Sequence, residues 1–447
     1  MEQRSRKAIS RREFIRTTGL GALGLGVSLM SPQLARAAKP KTLKILQWSH
    51  FVPEYDKWFN NVYVKEWGER NDTTVTVDNV EMTSIGNLAA AEIAAKRGHD
   101  LVMFLLPPPS LEDHVIDHRE IYEECTLKYG KPIDLALKST YNPKTKKYYG
   151  FSDSYVPDPV NYRKDLWDDV GVVPATWEDI RTGARKIKQK HGITAGFGLA
   201  SELDSNMALR SIMAAYGASE QDAAGRIVLK SKETLEALKF VKALYEESMT
   251  DEVLSWDASS NNRLMLAGRG SITLNAISIT RTGENQKIPV ADKIWLAKAA
   301  KGPERQIGVH HLLDVYVIWN FAENIAGAKK FLVDYVGASR DVFLASQFYN
   351  FPCFPQAVPD LQALIAKDAK AVPADKYNIF QDVTSWTTNL GYPGYANAAI
   401  DEIYSSWLIS TMFAKSASGK MSPEDALAEA DQAAKSIFEK WSARGKV

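Results

Sequence analysis

Between residues 43 and 105 the spacing of apolar positions switches repeatedly between two periods. Leu43-Lys44-Ile45-Leu46-Gln47-Trp48 alternates weakly and predicts a strand, Glu54 to Arg70 predicts a helix, and Thr74 to Val80 predicts a second strand. The alanine-rich stretch from Ser84 to Arg97 predicts another helix, stopped by Gly98. Asp100-Leu101-Val102-Met103-Phe104-Leu105 then reads as a strand buried on both faces, as in a parallel sheet. Strand, helix, strand, helix, strand in this order predicts an α/β fold.

The pattern breaks between residues 154 and 160, where Pro157 and Pro159 stand two apart. Proline removes a donor and biases the residue before it toward extended backbone, so this stretch predicts a stiff crossing between domains, unsuited to a helix or a central strand. Asn161 to Trp167 predicts a short helix ending near Gly171. Thr176 follows as an N-cap, with Asp179 in the acidic position of a capping box.

Beyond the crossing, Ala195 to Leu199 predicts a strand, Asn206 to Tyr216 a helix, and Ser231 to Met249 a long amphipathic helix with Leu235, Leu238, Val241, Leu244 and Tyr245 on one side. Lys293 to Ala297 and Val309 to Trp319 predict strands that return to the first lobe, and Ala326 to Val336 a further helix. A final helical arm opens at Gly391-Tyr392-Pro393-Gly394-Tyr395, and Ser422-Pro423-Glu424-Asp425 predicts a capped helix start within it.

Length and composition change this picture in three ways. The 447 residues suit two domains, and 45% apolar with 24% charged residues is a globular composition. The formal charge is +1, but residues 1–37 carry seven Lys or Arg and two acids, leaving 48 basic against 52 acidic residues, a net of −4. That balance gives no electrostatic reason to expect nucleic acid or an anionic membrane as partner. Cys125 and Cys353 lie far apart and form no C-x-x-C pair, so no structural zinc or iron-sulfur centre is expected; a disulfide between them stays open.

The first 37 residues read as an address. Ser10-Arg11-Arg12-Glu13-Phe14-Ile15-Arg16 resembles the twin-arginine export consensus, and a glycine-diluted apolar run from Gly19 to Met30 follows, too short to span a bilayer. Ala35-Arg36-Ala37 supplies a small-x-small cleavage pattern, which predicts a mature start at Ala38 and a soluble periplasmic protein. The twin-arginine route also carries redox enzymes. The remaining chain, however, holds no G-x-G-x-x-G after a strand, no C-x-x-C-H and no G-x-x-x-x-G-K-[ST], so no cofactor is expected.

Several weak motifs occur in a telling order. They are Gly98-His99-Asp100, the crossing Tyr149-Gly150-Phe151 with Asn161 to Trp167 and Pro174-Ala175-Thr176-Trp177-Glu178-Asp179, the helix from Ser231, Trp256-Asp257, Asn261 to Asn275, and Ser422 to Leu427. This order resembles that of the extracellular solute-binding proteins of ABC importers, of the maltose-binding type. The resemblance implies a periplasmic binding protein-like fold of type II, two α/β lobes joined by a multi-strand hinge. The expected lobes are 38–153 with 290–340, and 154–289 with 341–447. It further implies a monomer that binds a small solute, a sugar or oligosaccharide, and presents it to an ABC permease in the inner membrane without catalysis. Ligand contacts are then expected just beyond the strand ending at Leu105, at Pro107, although three consecutive prolines offer no amide donor there. The chain also lacks the family's tryptophan where Ala276-Ile277 stands.

A binding site for such solutes needs flat apolar faces and oriented hydrogen bonds. Trp48, Trp256, Trp386 and Tyr392 are the candidate stacking residues, and Asn206, Asp257, Asn275 and Asn389 the candidate polar ones. Ser49 and His50 join them because ligands sit outside the carboxyl ends of strands in open α/β sheets, and His310 with His311 because they stand at a strand start. The other eight tryptophans, Trp407 among them, read as packing residues. His114 and His118, four apart, read as a solvated helix surface, with no third metal ligand nearby. On the same scaffold a polyamine, polyol or organic anion is the alternative solute. A secreted carbohydrate-active hydrolase is the alternative of another class, and would need two of Glu81, Asp153, Asp257 and Asp314 facing each other.

Overall fold

The computed structural model describes residues 41–447. The export signal expected in residues 1–37 lies outside the described residues. Ten strands build the two main sheets: β1 (Lys41–Trp48), β2 (Thr73–Val80), β3 (Leu101–Phe104), β4 (Phe151–Val156), β5 (Val160–Arg163), β6 (Thr194–Ala195), β7 (Gly270–Leu274), β8 (Ile294–Ala297), β9 (Leu312–Ile318) and β10 (Phe351–Pro352). The first sheet has the order β10-β4-β9-β3-β1-β2 and the second β8-β5-β7-β6.

Their burial follows from their sequences. β3 and β9 are apolar runs buried along nearly their whole length, as an interior strand covered on both faces requires. β2 alternates Val with Thr, Asp and Asn, and it is the edge strand, paired in parallel with β1 from Lys41↔Thr73 to Trp48↔Val80. The helical stretch from Pro53 to Arg70 contains one π-helical turn, Phe59–Tyr63. Tyr55, Phe59 and Tyr63 form a ladder along it, with centroids 5.8 and 6.1 Å apart, and it packs edge-on against Phe331 and Tyr335.

The proline crossing lies where the sequence puts it, but it is shorter. Ser154, Tyr155 and Val156 still belong to β4, so only Pro157, Asp158 and Pro159 separate the first sheet from β5 in the second. Asn161 to Arg163, expected as helix, form most of β5, an inner strand held by β8 and β7; the helix begins only at Lys164. Neighbouring strands on both sides override the local helical tendency. A second correction concerns β8. Its residues were expected to return to the first lobe, yet Ile294 pairs with Arg163 and Ala297 with Val160, so the chain stays in the second sheet. It returns to the first only at β9, and the later β10 also joins the first sheet, beside β4.

The predicted capping box at Thr176 forms in full, with Thr176 Oγ1 accepting from the Asp179 amide at 3.0 Å and Asp179 Oδ2 from the Thr176 amide at 3.1 Å. Ser422 caps the last helix, Pro423–Ala443, in the same way at its amide end. Cys125 and Cys353 are both buried free thiols, and Cys353 Sγ lies 3.3 Å from Ser152 Oγ.

Candidate functional site

The carboxyl end of β3 opens onto a cavity of about 890 Å³. One wall comes from the helix Ile85–Ala95 and from Phe104 to Pro108. The opposite wall comes from Ser201 to Leu203, from Trp256 to Ala258, and from Asp401 to Trp407 in the C-terminal arm. The first wall thus belongs to segments that follow β2 and β3 of the first sheet, and Ser201 to Leu203 and Trp256 to Ala258 to segments that follow β6 of the second, with the C-terminal arm closing the far side. A space of this size suits a small molecule with most of its surface covered.

Three aromatic side chains give the far wall its shape. Trp256 is half-buried, and its ring lies over Gly196: a Cβ there would come within 2.6 Å of Trp256 Cη2 and 2.4 Å of Leu264 Cδ2. Only a residue without a side chain leaves the indole that position. Tyr404, on the helix Ala398–Ser405, lies 6.0 Å from the ring of Trp407. Trp407 holds a left-handed backbone at φ 59° and ψ 25°, which a bulky residue adopts at a cost of roughly 1–2 kcal/mol.

The cavity holds three carboxylates, Glu202, Asp257 and Asp401, beside His114 and the hydroxyl side chains of Thr83, Ser110, Ser201 and Ser405. Glu202 caps the helix Leu203–Ala215, accepting from the amides of Asp204 at 2.7 Å and Ser205 at 2.6 Å, and burial raises its pKa above the usual carboxylate value. Asp401 accepts the Ser110 amide at 3.2 Å, and burial pushes its pKa up to about 6. Asp257 is exposed and paired with Arg263 at 2.9 Å, which holds it below the usual range. Beneath Tyr404, Arg210 lies 5.2 Å from its ring centre and is itself bound to Glu220 at 2.8 Å.

Behind this wall runs a buried polar seam along the crossing. His311 Nδ1 lies 3.2 Å from Asp158 and its Nε2 3.5 Å from Asp204. Burial opposes its charge, but Asp204, Asp158 and Glu202 together outweigh that and raise its pKa. Its neighbour His310 is pushed down to about 3 by burial and by the charge of His311. His50 Nε2 lies 3.0 Å from Asn350 Oδ1, and Asn350 Nδ2 donates to Asp314 at 3.0 Å.

Of the candidate residues, Pro107, Trp256 and Asp257 line the cavity together. Asn389 and Tyr392 line a separate cavity of about 490 Å³ with Tyr155 and Lys138. His50, His310 and His311 sit in the buried seam, and Ser49 is exposed beside it. Trp48 and Trp386 are 2% exposed and serve the core, Trp386 against Phe380. Asn206 spends its amide on the Tyr404 carbonyl, and Asn275 donates to Asn261 at 3.0 Å, so both are structural. Trp407, assigned to packing from sequence, lines the cavity instead. Glu202, Asp401 and Tyr404 carried no signal: a glutamate before a helix and a tyrosine inside one are ordinary, and only the fold turns them inward. Of the four carboxylates named from sequence for a hydrolase, Asp257 alone lines this space. Asp153 and Asp314 are buried on adjacent strands of the first sheet, whereas Glu81 is exposed and caps the short turn at Met82.

A sequence profile for bacterial extracellular solute-binding proteins matches residues 52–339. A Brucella abortus (strain 2308) protein, named only as a binding protein, is 25% identical over 190 residues, or 42% of this chain and 46% of that protein; the chain thus spans about half the length of the curated relatives it matches. Among solved structures, maltose-bound MalE3 of T. maritima superimposes with a TM-score of 0.73 at 18% identity, covering 89% of this chain and 99% of the other. A sugar transporter from Arthrobacter chlorophenolicus A6 with bound laminaribiose gives 0.72 at 15% identity, covering 89% and 99%. At these identities the solved structures establish the fold, two α/β lobes of the type II kind.

Proposed function

The chain belongs to the bacterial extracellular solute-binding proteins, and on that premise we propose that it binds a sugar or oligosaccharide in the cavity beyond β3. The single observation that carries this reading is the wall formed by Trp256, Tyr404 and Trp407. Flat aromatic faces cover the C–H faces of sugar rings, and rigid rings give large contact area at small entropic cost. The maltose and laminaribiose held by the two similar structures are of the same class.

The protein delivers this solute to an ABC permease after export to the periplasm and works as a monomer without chemistry on its cargo. Among the described residues no helix is long and apolar enough to cross a membrane. Solute contacts that span both walls favour the closed arrangement of the lobes, and that differential affinity is what a permease can read. The lobes are built on the two sheets, with the switch between them at Pro157 to Pro159 and again between Ala297 and Leu312.

Tryptophan emission and melting temperature of the purified protein are to be followed against a panel of mono- and oligosaccharides and polyols. At least one sugar is expected to change both. A flat response across the panel overturns the carbohydrate reading, and release of new reducing ends on prolonged incubation overturns the non-catalytic one.

A further inference from the structure

The cavity is one-sided in its chemistry. Its acidic lining residues are Glu202, Asp257 and Asp401, His114 is the one basic-type side chain among them, and no Lys or Arg lines it among the described residues. The opposite wall brings Pro107 and Pro108, which have no N–H, and the Ser110 amide is already spent on Asp401. Ionised carboxylates only accept hydrogen bonds, so a solute held here must supply donors at the carboxylate positions. Tyr404 points the same way. It is 8% exposed, it lines the cavity, and its hydroxyl has no partner among the described residues. A buried hydroxyl left so is costly unless a ligand group completes it.

We infer that the solute carries a protonated amine on a ring body, an amino sugar or its glycoside, with the ammonium set between Glu202, Asp401 and the Tyr404 hydroxyl. This rests on the cavity being the solute site, as proposed above. A neutral sugar presents as many acceptors as donors, and the side chains that could serve its ring and bridging oxygens are uncharged hydroxyls, those of Thr83, Ser110, Ser201 and Ser405, and the His114 ring. An ammonium is all donor, and it is also attracted to the faces of Trp256, Trp407 and Tyr404. An anionic solute meets like charge along the wall that carries Glu202, Asp257 and Asp401. The nearby guanidinium groups do not alter this balance, because Arg263 is paired with Asp257 and Arg210 with Glu220. Burial raises the pKa of Glu202 against the attraction of His311 and moves that of Asp401 to about 6, and an ammonium beside them favours their charged forms.

The experiment is calorimetric titration of the purified protein at pH 7.5 with the β-1,4-linked dimer of glucosamine, its N-acetylated counterpart, cellobiose and spermidine. The amine-bearing dimer is expected to bind at least tenfold more tightly than either neutral disaccharide, and to lose affinity as salt is raised. Glu202→Gln keeps an oxygen acceptor for the helix cap and is expected to reduce amine binding at least tenfold and neutral-sugar binding by less, so that the preference for the amine shrinks and its salt dependence weakens. Tyr404→Phe removes one hydroxyl without disturbing the ring and is expected to weaken the amine severalfold. If cellobiose or the acetylated dimer binds as well as the amine, or Glu202→Gln and Tyr404→Phe leave the preference unchanged, the inference fails while the carbohydrate reading stands. Should spermidine bind and no disaccharide do so, the sugar body is wrong and the charge assignment survives. If no probe binds, the amine assignment falls, while the carbohydrate reading is decided by the wider panel of sugars and polyols.

Discussion

His311 Nε2 lies 3.5 Å from Asp204 Oδ1, joining the chain that re-enters the first sheet to the helix Leu203–Ala215 beside the second. Both groups are almost fully buried, and Asp158, in the proline crossing, holds the other imidazole nitrogen. Removing the imidazole as His311→Leu leaves buried carboxylates without a cation, and is expected to cost about 3–5 kcal/mol, read from urea unfolding. A cost under 1 kcal/mol would show the seam to be dispensable. The pH dependence has a definite sign. The folded pKa of His311 is raised, so its contribution is present below the unfolded value of about 6.5 and is lost as pH rises through the folded one. Burial raises that of Asp204 to about 8, so its contribution too is lost as pH rises through that value. Wild-type protein should therefore have a lower urea midpoint at pH 9 than at pH 7, and His311→Leu with Asp204→Asn should flatten this slope.

His50 and His118 behave in the opposite sense. His118 Nδ1 lies 3.0 Å from the Tyr148 carbonyl, and its Nε2 accepts the Ile318 amide at 3.0 Å; His50 Nδ1 accepts the Val52 amide at 2.9 Å and its Nε2 faces Asn350 Oδ1. Each ring must accept through one nitrogen, so each is neutral, protonated on Nδ1 in His118 and on Nε2 in His50. Burial lowers both to about 4. Their contribution is present above the unfolded value of about 6.5 and is lost as pH falls toward 4, on the order of 3 kcal/mol for each ring. Nitrogen-15 chemical shifts should show these tautomers unchanged down to pH 5. A midpoint near 6.5 for either ring would contradict the assignment.

Trp256 and Gly196 test the aromatic wall from two directions. Trp256→Ala should weaken solute binding at least tenfold, about 1.4 kcal/mol, with a shift in melting temperature of only a few degrees, since the ring is half-buried. Gly196→Ala leaves the indole in the chain but displaces it, and overpacking of this kind costs about 1–3 kcal/mol of stability. It should lower affinity as well. Unchanged affinity in both variants would remove Trp256 from the site.

Asp314 and Asp153 are buried on neighbouring strands, and burial, followed by Asp153, raises the pKa of Asp314 well above the carboxylate range. Asp314 Oδ2 already accepts from Ser154 and Asn350, both at 3.0 Å. Asp314→Asn keeps an acceptor for these groups and removes an acid that burial disfavours. At pH 8 it should stabilise the protein by about 1–3 kcal/mol in chemical unfolding. A destabilised variant would show that the carboxylate is held ionised there.

Secondary structure was legible wherever it depends on local chemistry. The strand of Leu43 to Trp48, the capping box of Thr176 and Asp179, the long helix after Ser231 and the break at Pro157 and Pro159 all follow from neighbours in sequence, and all occur. Asn161 to Arg163 read wrongly, because strands more than 100 residues away decide that they form β5. The aromatics read least well. Trp48, Trp386 and Trp407 each stand beside a serine, yet the first two are interior and the third lines the cavity.

By itself the sequence determined the alternation of strands and helices in the first hundred residues and the place where the chain first crosses between the sheets. Those depend on apolar period, capping groups and the missing proline donor, which act over a few residues. Only the tertiary structure decided that β8 stays with the second sheet, and that Glu202, Asp401, Tyr404 and Trp407 converge on one space. Their convergence is set by the docking of the C-terminal helices against segments some 200 to 300 residues earlier, and no local pattern encodes contacts at that separation.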